Sequence, residues 1–255
     1  RFRVHLNRKI LAKFKGKKLY IYGMRKVGSV PSIILKGSGR HLFPTPTAMN
    51  AYPTPFHQPK GSLWFYQAWV WRNNAKSVEG NHSVSFVKTK DFKNWYDSNE
   101  NRITLPINYS KGELVDPASV GSGILNNIKI SSDKDGNPVV TYLKYDKNGN
   151  TQVYNTRKKA QGGWVISKAT KLTTRFDLSG RGSLPSTEFT VSYSGVQLTK
   201  EGRLFQTVIR AKADTKGYPT SGSWYLDENL KITSEKYRPT ISLSEPSDFR
   251  VVESP

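Results

Sequence analysis

Four times along the chain a glycine-containing turn runs directly into a stretch rich in β-branched and aromatic residues. These are Gly16-Lys17-Lys18-Leu19-Tyr20-Ile21-Tyr22, Gly61-Ser62-Leu63-Trp64-Phe65-Tyr66, Asp135-Gly136-Asn137-Pro138-Val139-Val140-Thr141-Tyr142 and Glu201-Gly202-Arg203-Leu204-Phe205-Gln206-Thr207. No segment sustains a helical hydrophobic period, so the recurrence predicts an all-β chain. Three of the four continue through a second turn to another strand, as in Val84 to Trp95 and Thr151 to Arg157. A turn, an inner strand, a turn and an outer strand make a propeller blade. The marker glycines stand 45, 75 and 66 residues apart, whereas blades repeat at about 40–50 residues, so insertions or unmarked blades lie between. The expectation is a β-propeller of four-stranded antiparallel blades, because radial repetition protects strand edges. Two stacked sandwiches are the competing architecture. Residues 1–255 read as one propeller domain or as its later blades. The opening Arg1-Phe2-Arg3-Val4-His5 has no initiator Met and no apolar leader, which suggests a missing N-terminal part.

Charge sets the partner. Lys+Arg 40 against Asp+Glu 19 gives +21, while the 12% aromatic content argues against a disordered basic tail. Nucleic acid is disfavoured, since the lysines are scattered and no nucleic-acid module is recognisable. An acidic polysaccharide or oligosaccharide fits better, because a long-range positive potential speeds capture of a polyanion. No apolar run approaches the ~18 residues of a membrane-spanning helix. The absence of cysteine excludes disulfides, Cys-ligated zinc and thiol nucleophiles. His5, His41, His57 and His82 lack metal-ligand spacing, so no cofactor is demanded. Calcium is the one metal suggested, by Asp133-Lys134-Asp135-Gly136-Asn137 and Asp146-Lys147-Asn148-Gly149-Asn150. Both lack the terminal bidentate Glu of a calcium loop and fit hairpin turns better. Oligomeric state leaves no trace in the sequence.

Several motifs in order carry a resemblance. Met49-Asn50-Ala51-Tyr52-Pro53-Thr54-Pro55, Trp69-Val70-Trp71-Arg72-Asn73, Asn81-His82-Ser83-Val84-Ser85-Phe86, Leu105-Pro106-Ile107, Val115-Asp116-Pro117, Asn126-Asn127 and the run Val139 to Arg157 resemble the bacterial-neuraminidase-repeat family of secreted seven-bladed propellers. The resemblance covers about residues 49 to 185. It implies a secreted or periplasmic protein, and members of that family include rhamnose–glucuronate lyases, rhamnosidases and ulvan lyases. It also implies a proton-abstracting histidine on early blades, then a Thr-Tyr-Pro strand and a Tyr-Arg-Asp-Gly strand. Only Val4-His5-Leu6-Asn7 and Tyr22-Gly23-Met24-Arg25-Lys26 resemble those strands here, which points to a partial chain or to lost chemistry.

The residues themselves suit elimination better than hydrolysis. A glycosidase needs two carboxylates flanking the scissile bond, and Asp116, Asp146, Asp177 and Glu188 form no evident pair. Elimination from a uronate needs cations to neutralise the carboxylate and a base to take the adjacent proton. Arg72 ends the aromatic run Trp64 to Trp71, and its planar fork can hold a carboxylate or sulfate; the alternative is an ion pair with an acid such as Glu79. His82 and Tyr142 are the proton-transfer candidates, while Arg25 shares the carboxylate clamp and Asn81 stands beside His82. Tyr142 and Lys144 share one strand face, as do Asn155 and Arg157 on the next strand, and the four are expected to converge. Arg175 and Arg181 flank Phe176-Asp177-Leu178-Ser179-Gly180 and complete the subsite candidates. The reading is an acidic-polysaccharide lyase, with a non-catalytic polyanion-binding propeller or an α-L-rhamnosidase as alternatives.

Overall fold

The computed structural model of the chain describes residues 49–73, 78–159, 162–176, 191–209 and 221–238. The Gly16 segment, His5, Arg25, His41, Asp177, Arg181 and Glu188 lie outside the described residues. The described part is all-β, without an α-helix, in three antiparallel sheets.

Sheet I comprises β1 (Met49–Pro53), β2 (Phe65–Asn73), β3 (Asn81–Thr89), β4 (Trp95–Tyr96), β5 (Arg102–Ile103) and β6 (Glu113–Asp116). Its order is β1-β2-β3-β4-β5, with β6 also pairing with β3. Sheet II holds β7 (Lys129–Ser132), β8 (Pro138–Tyr145), β9 (Thr151–Lys158) and β10 (Trp164–Lys168) in chain order. Sheet III holds β11 (Ser192–Tyr193), β12 (Gln197–Leu198), β13 (Leu204–Ile209), β14 (Ser221–Leu226) and β15 (Ile232–Lys236). Its order is β11-β13-β14-β15, with β12 also on β13. In each sheet the strand after the marker glycine is the second, flanked on both sides, as the repeats predict. Gly61, Gly136 and Gly202 take φ of 79°, 81° and 83°, which glycine adopts without a Cβ penalty.

The turns close themselves. Asp97, Asp133, Asp146 and Asp227 each accept, at Oδ1, the backbone N–H groups two and four residues on, at 2.8–3.1 Å. The second oxygens of Asp133 and Asp146 take Asn137 Nδ2 and Gln152 Nε2. The two stretches that resemble calcium loops are therefore Asx-closed hairpin turns whose carboxylate oxygens the chain itself occupies. Among the described residues no group of three His, Asp or Glu could hold a metal ion.

The sheets stack face to face. Residues two apart share a face, so Tyr66, Ala68 and Val70 of β2, with Val84 and Phe86 of β3, pack against Val140 and Tyr142 of sheet II. Phe65, Trp69 and Trp71 point the other way, onto Val87, Trp95 and Ile107. Burial on both faces explains the uninterrupted apolar run of β2. The opposite face of sheet II carries Leu143 and Val153 onto Tyr193, Val208 and Trp224.

Hydrogen bonds cross both seams: His57 Nε2 to Ser132 Oγ (3.0 Å), Tyr193 OH to Asn127 Oδ1 (2.8 Å), Asn155 Nδ2 to Gln206 Oε1 (2.9 Å). Tyr193 meets Asn127, and Gly195 meets Ser131. Arg72, beside Tyr52, meets Asn126, while His57 meets Ser132. Residue numbers rise together along both pairings, so the first strands of the three sheets run side by side in one direction. The described residues do not by themselves close a ring.

Gly123 has φ 82°, and a Cβ there would lie 2.7–2.8 Å from the Tyr145 ring. Gly123→Ala is expected to cost about 1–3 kcal/mol, as overpacking does. The shift of the urea unfolding midpoint checks this, and an unchanged midpoint would show that the ring moves aside freely.

Candidate functional site

Arg72 is next to last on β2, where the register sets it opposite Asn50 and Asn81. Its side chain is buried, 7% exposed for the residue. Nε donates to Asn81 Oδ1 at 2.7 Å, one terminal nitrogen to Tyr52 OH at 3.1 Å and the other to Asn126 Oδ1 at 2.8 Å. The Tyr52 ring lies under the guanidinium, 4.2 Å from centroid to Cζ. Asn81 Nδ2 donates to Ile124 O and Asn126 Oδ1, which fixes both amides. No described carboxylate forms an ion pair with Arg72, and the pairing to Glu79 that the sequence allows is not made. Burial lowers the guanidinium pKa, with partial compensation from Tyr52. A guanidinium has five N–H groups, and three donate to described residues. Among the described residues the result is an oriented cation held by neutral oxygens, with two N–H groups not engaged.

His82 leaves sheet I on the other face. It follows Asn81, and successive side chains alternate; its ring meets Tyr109 edge-on at 5.4 Å. Nδ1 lies 3.2 Å from Ser83 Oγ and Nε2 3.1 Å from Asn73 Oδ1. Burial lowers its pKa, so the imidazole is neutral near pH 7. Arg72 and His82 thus share one end of the β2–β3 hairpin but not one face.

Tyr142 and Lys144 do share a face, and both spend their polar atoms on Asp116 of β6. Tyr142 OH donates to Asp116 Oδ2 at 2.6 Å, and Lys144 Nζ pairs with the same oxygen. Tyr142 is wholly buried, and burial, then the Asp116 charge, raise its pKa well above 10. Tyr154 stacks on it at 6.1 Å, with Lys144 Nζ 4.8 Å from the Tyr154 ring.

The expected convergence with Asn155 and Arg157 fails. Tyr142 pairs with Tyr154 and Thr141 with Asn155, so Asn155 and Arg157 occupy the opposite face. Asn155 is buried, its amide bonded to Gln206, Leu230 O and Thr141, which makes it a seam residue and not a ligand contact. Arg157 donates to Glu228 O at 2.7 Å and lies 3.9 Å from Asp133. Arg175 covers the Tyr145 ring at 3.9 Å.

Sequence reasoning missed Tyr52 and Asn126 as members of the arginine cage, although both stand in motif-like runs. It also missed His57 and Lys129, which line a separate cavity.

A family model described as "BNR repeat-containing family member" matches residues 8–172. No curated protein matches the chain. Among solved structures, two of an ulvan lyase from a polysaccharide lyase family are similar, one of them bound to a glucuronate and 3-sulfated rhamnose repeat. Each has a TM-score of 0.49 and 12% identity, with 72% of this chain covered and 41% of the other. The chain spans less than half the length of those proteins.

Proposed function

Since the chain belongs to the BNR repeat-containing family, we propose that it is a carbohydrate-active propeller, secreted or periplasmic, that cleaves an acidic polysaccharide by β-elimination beside a uronate. The observation that carries this is Arg72: a buried, oriented guanidinium without a counter-ion among the described residues. An uncompensated buried charge is costly, and a ligand carboxylate or sulfate would relieve the cost in bidentate geometry. The three parallel first strands support the propeller, because such strands surround the axis of that architecture.

In this scheme Arg72, oriented by Asn81, Asn126 and Tyr52, neutralises the uronate carboxylate and so acidifies the adjacent C–H. A base removes that proton, a carbon–carbon double bond forms, and the glycosidic oxygen β to the carboxylate departs and is protonated. Neither sequence candidate is poised as that base at this clamp: neutral His82 faces away from Arg72 across sheet I, and Tyr142 already donates to Asp116. Arg25, Arg175 and Arg181 are candidate subsite cations, whereas Lys144 and Arg157 are committed to Asp116 and to Glu228 O on opposite faces of sheet II. A non-catalytic polyanion-binding role is the second reading, favoured by the commitment of Tyr142 and Lys144 to Asp116.

Incubation with uronate polymers is expected to generate the ultraviolet absorbance of an unsaturated uronate. Binding should weaken as salt shortens the Debye length from about 10 Å toward 3 Å. Salt-sensitive binding without the chromophore would leave the binding role, and new reducing ends without it would make the protein a hydrolase.

A further inference from the structure

The described residues also line a cavity of about 450 Å³, within the ~300–1,000 Å³ range of small-ligand pockets. Each sheet gives it a wall: the segment after β1 that ends at His57, the start of β7 with its lead-in, and the link from Gly195 into β12. Most of the surface is apolar, from residues such as Phe56, Ile128 and Val196. Five polar side chains complete it: His57, Lys129 and Gln197, with the hydroxyls of Thr54 and Ser131, which are engaged by the backbone of Ala68 and Val139.

Lys129 is the one cation of this lining, and no carboxylate belongs to the lining. Its ammonium forms no ion pair with a described residue and lies 5.9 Å from the Tyr193 ring. Residues 1–48 contain no Asp or Glu at all, so that stretch has no carboxylate to offer. His57 is bonded through Nε2 to Ser132, and no described residue bonds its Nδ1. Burial lowers its pKa, so it offers a neutral ring nitrogen. Gly195 keeps the floor open: a Cβ there would lie 3.3 Å from Lys129 Cβ and 3.4 Å from Ser131 Oγ.

One ammonium without a counter-ion among the described residues, one neutral imidazole, one amide and apolar walls specify a small monoanion with an apolar face and hydroxyl groups. A phosphate ester would call for more cations or a nest of backbone N–H groups. We propose that this cavity is a second anion site that takes a single sugar acid, its carboxylate toward Lys129 and its less polar ring face on Phe56 and Val196. The choice of a sugar acid rests on the polysaccharide reading above; the preference for a small monoanion does not.

The test is calorimetric titration of the chain with glucuronate, glucose and propionate, repeated on Lys129→Gln and Arg72→Lys, with melting temperatures recorded. Saturable glucuronate binding is expected, weakened about tenfold or more by Lys129→Gln, which corresponds to ~1.4 kcal/mol. Any glucuronate binding that Arg72→Lys removes belongs to the Arg72 clamp, while the Lys129-dependent component should persist in that variant, and glucose and propionate should bind about tenfold less well or worse. Lys129 is exposed, so Lys129→Gln should melt with the parent. Loss of binding in Arg72→Lys but not in Lys129→Gln would overturn the proposal, as would equal affinity for glucose or propionate, or no glucuronate binding at all. Polymer cleavage measured on the same samples separates the two readings: Lys129-dependent glucuronate binding without elimination overturns the reaction and leaves the cavity assignment standing.

Discussion

Arg72→Lys is expected to lower kcat/KM on uronate polymers about a hundredfold, equivalent to ~2.7 kcal/mol of transition-state stabilisation. Lysine keeps the charge, but its ammonium cannot reach Asn81, Tyr52 and Asn126 together, nor offer a fork to a carboxylate. Arg72→Ala should go further and remove turnover. It should also destabilise the fold by about 3 kcal/mol, because it orphans the buried amide oxygen of Asn81 and thins the acceptor pairing at Asn126. Melting curves and steady-state kinetics on the same samples distinguish the roles. If both variants melt early while the folded fraction keeps parental turnover, Arg72 is a structural member of the β2–β3 hairpin end, and the elimination scheme loses its clamp.

Asp116→Ala should be the most damaging change in the interior of sheets I and II. It removes the acceptor for the buried Tyr142 hydroxyl and the counter-charge of Lys144, whose side chain is 18% exposed. Removing one partner of a buried pair costs about 3–5 kcal/mol, and the remaining exposure of Lys144 places the expectation near the lower end. Adding Lys144→Met to Asp116→Ala should recover part of the loss, since the orphaned ammonium goes with it. Urea midpoints of the four proteins in this cycle measure the coupling. Purely additive losses would mean that the Lys144–Asp116 contact contributes nothing to stability.

Much of the architecture was readable from local chemistry. The glycines at 61, 136 and 202 demand a backbone that few other residues adopt, and each opens the second strand of its sheet. Sidedness across the β8–β9 hairpin was not readable. The same-face rule holds within each strand, for Tyr142 with Lys144 and for Asn155 with Arg157. Which pair faces which depends on the parity of the register, and a one-residue slip would reverse it. That parity is set by the turn Asp146 to Asn150, which places Tyr145 opposite Thr151.

The site was legible to a similar degree. Arg72 and Asn81 are nine residues apart and meet through one hairpin, so sequence singled out both. Asn126 comes from 54 residues away and Asp116 reaches Tyr142 across 26. Such meetings belong to the stacking of sheets, for which the alternation of side chains along a strand holds no information.

Asn155 accepts a bond within its sheet from Thr141, fourteen residues away, and across the seam it meets Gln206 at a separation of 51. Loop-closure entropy grows with the logarithm of length, so the second contact costs about 1 kcal/mol more to close than the first. That charge falls only once per seam: when Asn155 has found Gln206, the bond to Leu230 and the contact of Val139 with Val196 require little further ordering of the chain. Sheets joined in this way gain their seam contacts together, while the turns at Asp97, Asp133, Asp146 and Asp227 rest on bonds that span only two to four residues.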